Sequence, residues 1–211
     1  MSRWGAQYLA TGSVDRFVLP IDKPRSTYAG PQYELLTFVA SGNLTVTNNS
    51  TTSVSIFKTS GSASWDNQAY VSTGYTAPVT VEFNKSSPTS DNGTGYSMIS
   101  LNADPTTDAN YTSLDWAAYP YATSGGYYVY HNGSSITPSS TSYNSSLKWY
   151  IVYATDGFIY HYNGSNLMYS VNKGTGQTVY LDSSFYSVDA TNGGFSNIRM
   201  IKRAWNGTTY V

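Results

Sequence analysis

The acidic and aromatic residues of one short segment carry the clearest binding chemistry in this sequence. The segment contains Tyr111, Asp115, Trp116, Tyr119 and Tyr121. Sugars present apolar C–H faces that stack on aromatic rings, and their hydroxyls form hydrogen bonds with carboxylates. The set therefore predicts a carbohydrate-binding site. The alternative is that these rings pack in a core or on the face of a sheet.

The stretch just before these aromatics concentrates oxygen ligands. Asp104 and Asp108 are the nearest acidic pair, with Asn110 and Asp115 behind them. A hard cation such as Ca²⁺ takes six to eight oxygen ligands, so this stretch is a candidate calcium site. The alternative, which we favour, is that these side chains cap turns through hydrogen bonds to the backbone. We therefore expect no cofactor, with Ca²⁺ as the one candidate.

The residues needed for catalysis are scarce. Glycosidases need two carboxyl groups on either side of the scissile bond, and the chain has only Glu34 and Glu82 in addition to its aspartates. His131 and His161 lie beside predicted hairpin turns, where we interpret them as surface groups, and neither accompanies a G-x-S-x-G motif. Cysteine is absent, which excludes thiolate chemistry and disulfides. We expect the protein not to be an enzyme.

Composition excludes several classes of partner. Charged residues make up 11% of the 211 residues and the net charge is −1, so there is no basic field for nucleic acid or an anionic membrane surface. No apolar run is long enough for a membrane span, and the N-terminus lacks the pattern of a signal peptide. Polarity comes from Ser, Thr, Asn and Tyr, which is typical of extracellular β-proteins and virion proteins.

Short alternating segments separated by turn residues predict an all-β fold. Asn132-Gly133 and Asn163-Gly164 each lie between Tyr-rich alternating runs, so we predict two β-hairpins with type I′ turns. We place both hairpins, with their histidines, in one meandering antiparallel sheet. Strands recur every 8–15 residues or so, as in a sandwich or barrel. Trp65 and Trp149 are interpreted as core residues.

The first 40 residues differ from the rest of the chain because they contain several prolines. Their prolines exclude a regular helix and favour an extended segment. We predict an N-terminal anchoring arm (1–40), a domain (41–204) and a C-terminal tail (205–211). A poorly ordered terminus is the alternative to the arm. The arm residues expected to contact other subunits are Phe17, Leu19, Lys23, Arg25 and Tyr28.

Several strings in fixed order resemble a known superfamily. They are SWDNQAYVSTGY, SLNADPTTDANYTSLDWAAYPY, YYVYHNGSSI, LKWYIVYATDGFIYHYNGSNLMYSV and VYLDSSFYSVDATNGGFSNIRMI. They look like concanavalin A-like lectin/glucanase (LamG-like) jelly rolls, in particular the modules carried by structural proteins of phages and large aquatic viruses. The resemblance implies an antiparallel β-sandwich jelly roll. The Glu-x-Asp-x-x-Glu strand of the superfamily's glucanases is missing here.

These observations lead to a ranked set of functions. We expect a virion structural protein, such as a capsid decoration, fibre or tail component, that displays a lectin-like jelly roll and is anchored by its arm. Its partners would be other virion subunits or copies of itself, and its location the virion or another extracellular surface. The alternative is a module that binds glycans on a host surface. A polysaccharide hydrolase is third and disfavoured.

Overall fold

The structure, a computed structural model, describes residues 32–85, 95–106, 108–121, 126–137, 141–191 and 193–211. The first sheet contains β1 (Phe38–Ala40), β4 (Asn67–Val71), β6 (Ser97–Asn102), β7 (Ala117–Tyr121), β8 (Gly126–His131), β9 (Ser134–Ser135), β10 (Thr141–Ser142) and β14 (Tyr180–Phe185). The second contains β2 (Leu44–Ser50), β3 (Ser53–Lys58), β5 (Val79–Asn84), β11 (Trp149–Tyr153), β12 (Phe158–Asn163), β13 (Asn166–Asn172) and β15 (Phe195–Ile201). A 3₁₀ turn, Tyr111–Ser113, precedes β7.

The two sheets form an antiparallel β-sandwich, which confirms the predicted fold class. The first sheet has the order β1-β4-β14-β6-β7-β8-β10, with β9 paired to β8, and the second has the order β13-β12-β11-β5-β15-β3-β2. The chain passes repeatedly from one sheet to the other, so strands distant in sequence become neighbours. All the strands belong to one compact unit, residues 31–211. The described residues include no helix long and apolar enough to cross a membrane.

The core lies between the sheets and is built from alternate residues of their strands. Trp149, Ile151 and Tyr153 point inward from β11 and are almost fully buried. The Trp149 ring stacks on Phe83 of the neighbouring strand, with ring centroids 6.4 Å apart. Trp149 is thus a core residue, as predicted. Tyr150, on the other side of β11, is also buried, because the C-terminal segment covers that face.

The first predicted hairpin turn is confirmed and the second is wrong by one residue. His131 pairs with Ser134, and the two residues between them, Asn132 and Gly133, have φ of +48° and +74°, as a type I′ turn requires. In the second hairpin Asn163 belongs to the strand and pairs with Asn166. The central residues are therefore Gly164, with φ of +63°, and Ser165. Glycine at the first central position with a positive φ is the pattern of a type II′ turn.

The two histidine-containing hairpins lie in opposite sheets, contrary to the prediction of one meandering sheet. β8 belongs to the first sheet and β12 to the second. After β8 the chain forms β10 against the same strand and then crosses to β11. The alternating pattern is the same in both sheets of a sandwich, so it does not reveal this crossing.

Both ends of the described unit pack on the second sheet. Tyr33 pairs with Ile201, and the Glu34 amide donates to the Met200 carbonyl at 2.8 Å. Residues 204–211, which we call the C-terminal hairpin, fold back on themselves through two backbone hydrogen bonds between Ala204 and Val211. The predicted arm contacts Phe17, Leu19, Lys23, Arg25 and Tyr28 lie outside the described residues.

Candidate functional site

The outer face of the first sheet is the side that points away from the core. Strand β8 defines it clearly, since Tyr127 and Val129 are buried in the core while Tyr128 and Tyr130 point outward and stay partly exposed. In β7, likewise, Ala118 faces the core and Tyr119 lies on the outer face. The period of two in these strands therefore sorts the aromatic residues into two layers.

A continuous group of aromatic rings occupies one end of this outer face. We call it the tyrosine cluster, and it contains Trp65, Tyr96, Tyr111, Tyr119, Tyr128, Tyr130 and Tyr186. Tyr119, only 8% exposed, lies at its centre, and the other rings are partly exposed. No member carries a charge at neutral pH. The cluster thus presents aromatic faces and phenol hydroxyls together on one surface.

The rings of the cluster hold one another in place. Tyr119 contacts Trp65, Tyr96 and Tyr130 edge to face, at centroid distances of 6.1, 6.4 and 5.5 Å. Trp65 also contacts Tyr111 at 5.0 Å. Edge-to-face pairs are the arrangement that aromatic quadrupoles favour, each contributing about 0.5–1.5 kcal/mol beyond its buried area. The surface is therefore rigid before any ligand arrives.

The loop between β6 and β7 crosses the middle of the outer face and is tied to the strands beneath it. Gln68 donates from Nε2 to the Pro105 carbonyl at 2.5 Å, and Ser184 donates from its hydroxyl to the Ala109 carbonyl at 2.7 Å. Further along, Tyr111 joins the tyrosine cluster. These contacts fix the described part of the loop at Pro105, Ala109 and Tyr111.

A buried carboxyl group lies under this loop. Asp182 is fully buried and accepts hydrogen bonds from Gln68 Nε2, at 3.0 and 3.1 Å, and from Asn102 Nδ2 at 2.9 Å. Burial raises the pKa of Asp182 to about 7, against the opposing effect of these hydrogen bonds. Because Gln68 bonds both Asp182 and Pro105, the buried carboxyl group also orients the loop.

Asp115 belongs to a different group of side chains, which we call the charged cluster and which contains Asp115, Trp116, His131 and Lys173. Its two carboxylate oxygens lie 3.3 Å from His131 Nδ1 and 3.4 Å from Lys173 Nζ, and it accepts a hydrogen bond from the Ala103 amide at 3.1 Å. Burial lowers the pKa of Lys173, while the nearby Asp115 opposes that shift. Asp115 therefore neutralises a largely buried lysine and closes the base of the loop.

The indole ring of Trp116 is covered by other side chains of the protein. The indole stacks on the His131 imidazole at 4.6 Å with an interplanar angle of 7°, and Lys173 Nζ lies 4.1 Å from its centroid. The residue has φ of +39°, an unusual value for a bulky side chain, so the surrounding contacts must hold it there.

The five predicted sugar-binding residues do not form one site. Tyr111 and Tyr119 share the tyrosine cluster, whereas Asp115 and Trp116 lie together in the charged cluster. Trp116 packs against the main core with Ala118, on the opposite side of β7 from Tyr119, because residues three positions apart on an extended chain point to opposite faces. Tyr121 ends β7, and its side chain lies outside the described part of the structure.

The two aspartates of the candidate metal site are placed differently. Asp108 accepts a hydrogen bond from the Asn110 amide at 2.8 Å, and Asn110 in turn accepts one from the Thr112 amide at 3.1 Å. These are the turn caps that the alternative interpretation predicts. Asp104 is exposed on the first part of the loop. Among the described residues, no three His, Cys, Asp or Glu side chains come together as metal ligands.

The histidines differ from each other. His131 is partly exposed, as expected, but His161 is fully buried, so its prediction as a surface group is wrong. Its Nδ1 contacts the Tyr127 hydroxyl from the opposite sheet. Burial lowers the pKa of His161 to about 3, which keeps the imidazole neutral.

Sequence reasoning missed most of the tyrosine cluster. Trp65, predicted as a core residue, lies partly exposed on the outer face. Tyr128 and Tyr130 could have been found, since they alternate with Val129 in one strand. Tyr96 and Tyr186 lie just outside strand ends, and the backbone bond from the Tyr186 amide to the Tyr96 carbonyl joins segments that are distant in sequence.

The comparisons with known proteins concern the fold. No family model matches the sequence, and no curated protein matches it. Among solved structures, the SPRY domain of human HERC1 is similar with a TM-score of 0.51 and 18% identity, covering 79% of this chain and 96% of that domain. The carbohydrate recognition domain of Emp46p has a TM-score of 0.50 and 9% identity, covering 78% and 86% respectively.

These neighbours have concanavalin-like jelly-roll folds, so the fold implied by the sequence resemblance is confirmed. At such low identities the likeness establishes the fold and nothing about the ligand. The viral part of the resemblance stays a prediction.

Proposed function

We propose that this domain is a glycan-binding module and that the tyrosine cluster is its ligand surface. The observation that carries the proposal is a continuous, partly exposed and uncharged group of rings on one face of a rigid sheet. Tyrosine rings offer an apolar face and a hydroxyl in one side chain, which suits the alternating C–H and O–H surfaces of a sugar. The SPRY and carbohydrate recognition neighbours support the scaffold and leave the ligand open.

The rigidity of the cluster supports the same proposal. Binding a flexible side chain costs about 0.5–1.5 kcal/mol in lost rotamer freedom, and rings that are already packed against one another avoid most of this cost. A low charge also fits neutral glycans, because such ligands gain nothing from an electrostatic field.

The experiment is a glycan array followed by calorimetry on each glycan that is retained. Trp65→Ala removes the ring that joins Tyr111 and Tyr186, and we expect it to weaken binding by about 2 kcal/mol, roughly 30-fold in Kd. The matched control is Tyr160→Ala, a partly exposed tyrosine on the second sheet, which should bind normally. The proposal is overturned if Trp65→Ala binds as tightly as the wild type, or if Tyr160→Ala loses as much affinity as Trp65→Ala. It is also overturned if no glycan on the array retains the protein.

The proposal is one of binding without catalysis. Both glutamates are engaged in ion pairs on the second sheet: Glu82 with Lys148 at 3.1 Å, and Glu34 with Lys202 at 3.1 Å. Neither glutamate belongs to the tyrosine cluster.

A second candidate is the structural role in a virion, and one observation favours it. Leu35 lies just before β1 and is 70% exposed, and Val39 lies within β1 and is 48% exposed. In the described part of the chain, β1 is an end strand of the first sheet. A groove of about 420 Å³ with mixed apolar and polar walls, which include Leu36, Phe38 and Val46, lies at this edge. Exposed apolar edges favour association with other subunits. Light scattering should find an oligomer that Val39→Lys dissociates, and a monomeric wild-type protein would contradict self-association.

A further inference from the structure

A second concave site lies on the same outer face, at the other end of the loop between β6 and β7. It is a cavity of about 360 Å³ lined by Tyr70, Ser72, Asp104, Pro105, Thr106 and Tyr180. Its residues come from the end of β4, the start of β14 and the first part of the loop. The volume falls in the range of small-molecule sites, about 300–1,000 Å³.

The loop forms one wall of the cavity, and hydrogen bonds to the strands beneath it hold this wall in place. The Pro105 carbonyl accepts from Gln68, which also bonds the buried Asp182. The Ala103 amide is bonded to both Asn102 Oδ1, at 2.9 Å, and Asp115 Oδ2, at 3.1 Å. Asp104 lies between these two anchored residues, so its carboxylate is carried on a backbone fixed on both sides. Such fixed polar groups lower the cost of binding a ligand.

The ring of Tyr180 is also held in position. A Cβ placed on Gly74 would lie 2.5 Å from Thr178 Cγ2 and 3.1 Å from Tyr180 Cε1, so the phenol ring packs directly against the Gly74 backbone. Gly74 is thus a positioning residue for Tyr180. A methyl group at this position would have to displace the Tyr180 ring or the Thr178 side chain.

The cavity offers several polar atoms to a ligand. Within the described ranges, no protein group is hydrogen-bonded to the side-chain hydroxyl of Tyr70, Ser72 or Tyr180. Together with the exposed Asp104 carboxylate, they supply hydroxyl donors and acceptors at the edges of two aromatic rings. The carboxylate disfavours phosphate and other anions. A metal ion is disfavoured because the described residues contain no group of three His, Cys, Asp or Glu side chains that could hold one.

We infer that this cavity is a second, separate ligand site that takes a single neutral sugar unit, with ring hydroxyls on Asp104 and Ser72 and the C–H face on Tyr70 or Tyr180. The inference shares its ligand class with the proposed function but uses none of the residues of the tyrosine cluster. The two surfaces lie at different points along one loop, since Asp104 and Pro105 line the cavity and Tyr111 belongs to the tyrosine cluster.

The test uses saturation-transfer NMR of the full chain with the methyl glycosides of glucose, galactose, mannose and N-acetylglucosamine as probes. We expect at least one probe to bind. Asp104→Asn and Ser72→Ala should each weaken that probe at least tenfold, and each changes few atoms, so the fold should persist and can be checked by thermal melting. Gly74→Ala should weaken binding through the displaced ring, and Tyr160→Ala is the unaffected control.

The outcomes separate this site from the tyrosine cluster. A probe that still binds Asp104→Asn and is lost with Trp65→Ala would place the sugar on the tyrosine cluster and overturn the cavity site. The cavity site is also contradicted if no probe binds the wild-type protein. A probe lost in Asp104→Asn, from a protein that no array glycan retains, would support the cavity site while contradicting the tyrosine cluster as a ligand surface.

Discussion

The hydroxyl of Tyr127 contacts Nδ1 of His161 across the core, joining the two sheets of the sandwich through buried polar groups. Both side chains are fully or almost fully buried. Burial raises the pKa of Tyr127 well above its usual value and lowers that of His161 to about 3, so both groups stay neutral over the ordinary pH range. The folded domain therefore requires the His161 imidazole to be neutral, and protonation of this group destabilises the fold.

This arrangement predicts how stability depends on pH. The pKa of His161 is about 3 in the folded protein and 6.5 as its ordinary value, so between these pH values the unfolded chain binds the extra proton. The contribution of His161 to the free energy of unfolding is therefore complete above pH 6.5 or so. As the pH falls below that value it decreases by up to about 1.4 kcal/mol per unit.

The titration of Asp182 changes the free energy of unfolding in the opposite direction from that of His161. The pKa of Asp182 is about 7 when folded and 3.8 as its ordinary value, so between these values the folded protein binds the extra proton. Its contribution therefore increases as the pH falls from about 7 toward 4, and it offsets the loss from His161. Asp182→Asn removes this offset. We expect urea denaturation from pH 4.5 to 6.5 to show a steeper acid loss in the variant than in the wild type, and parallel profiles would contradict the assignment.

Removing the Tyr127 hydroxyl should destabilise the protein. Tyr127→Phe leaves Nδ1 of His161 buried without this partner, and an unsatisfied buried polar group costs about 1–3 kcal/mol. Chemical denaturation measures the difference. Tyr180→Phe is the matched control, since that hydroxyl has no hydrogen-bond partner in the described residues, and it should change stability by less than about 0.5 kcal/mol. Equal effects of the two substitutions would be inconsistent with a structural Tyr127–His161 pair.

The second hairpin turn predicts a contrast between two glycines. Gly164 has φ of +63°, and a Cβ there would lie 2.8 Å from Leu147 Cδ1, so Gly164→Ala should cost about 1–2 kcal/mol. A Cβ on Gly42 would have no neighbour within 4 Å, and its φ is not in the left-handed region. Gly42→Ala should therefore leave the denaturation midpoint unchanged or raise it slightly. The turn geometry is wrong if both variants behave alike.

The C-terminal hairpin should contribute to stability through Trp205. Its indole stacks on Tyr150 at 4.5 Å with an interplanar angle of 13°, and Nε1 donates to the Gly164 carbonyl at 3.3 Å. Trp205→Ala should reduce the free energy of unfolding by about 2 kcal/mol. The control is Val211→Ala, whose side chain is 64% exposed and should contribute little. Thermal melts that coincide for Trp205→Ala and the wild type would show that the hairpin packs only loosely.

Local patterns predicted the local structure of this chain better than its long-range structure. The turn at Asn132-Gly133 depends on the φ preferences of two adjacent residues, so the sequence was sufficient. The placement of His161 depends on which sheet β12 joins, and strand alternation is the same in either sheet. The φ of Trp116 follows from its contacts with His131 and Lys173, which come from distant parts of the chain.

The candidate site shows the same limit. Tyr111 and Tyr119 were found because they lie in one aromatic segment. Tyr96 and Tyr186 come together only through pairing near β6 and β14. Asp182 has the sequence context of an ordinary strand residue, and only the loop folded over it explains its burial. Contacts that cross the sheet are set by topology, which no short motif contains.

The loop between β6 and β7 has a consequence for the length of any ligand. It passes the cavity at Asp104, is hydrogen-bonded to the strands through the Pro105 and Ala109 carbonyls, and reaches the tyrosine cluster at Tyr111. A glycan that engages both surfaces at once must extend along the loop from Asp104 to Tyr111, whereas a short one can occupy only one surface. The spacing of the two surfaces would then favour long or branched glycans, because two linked contacts raise the affinity by avidity whatever the identity of any one sugar.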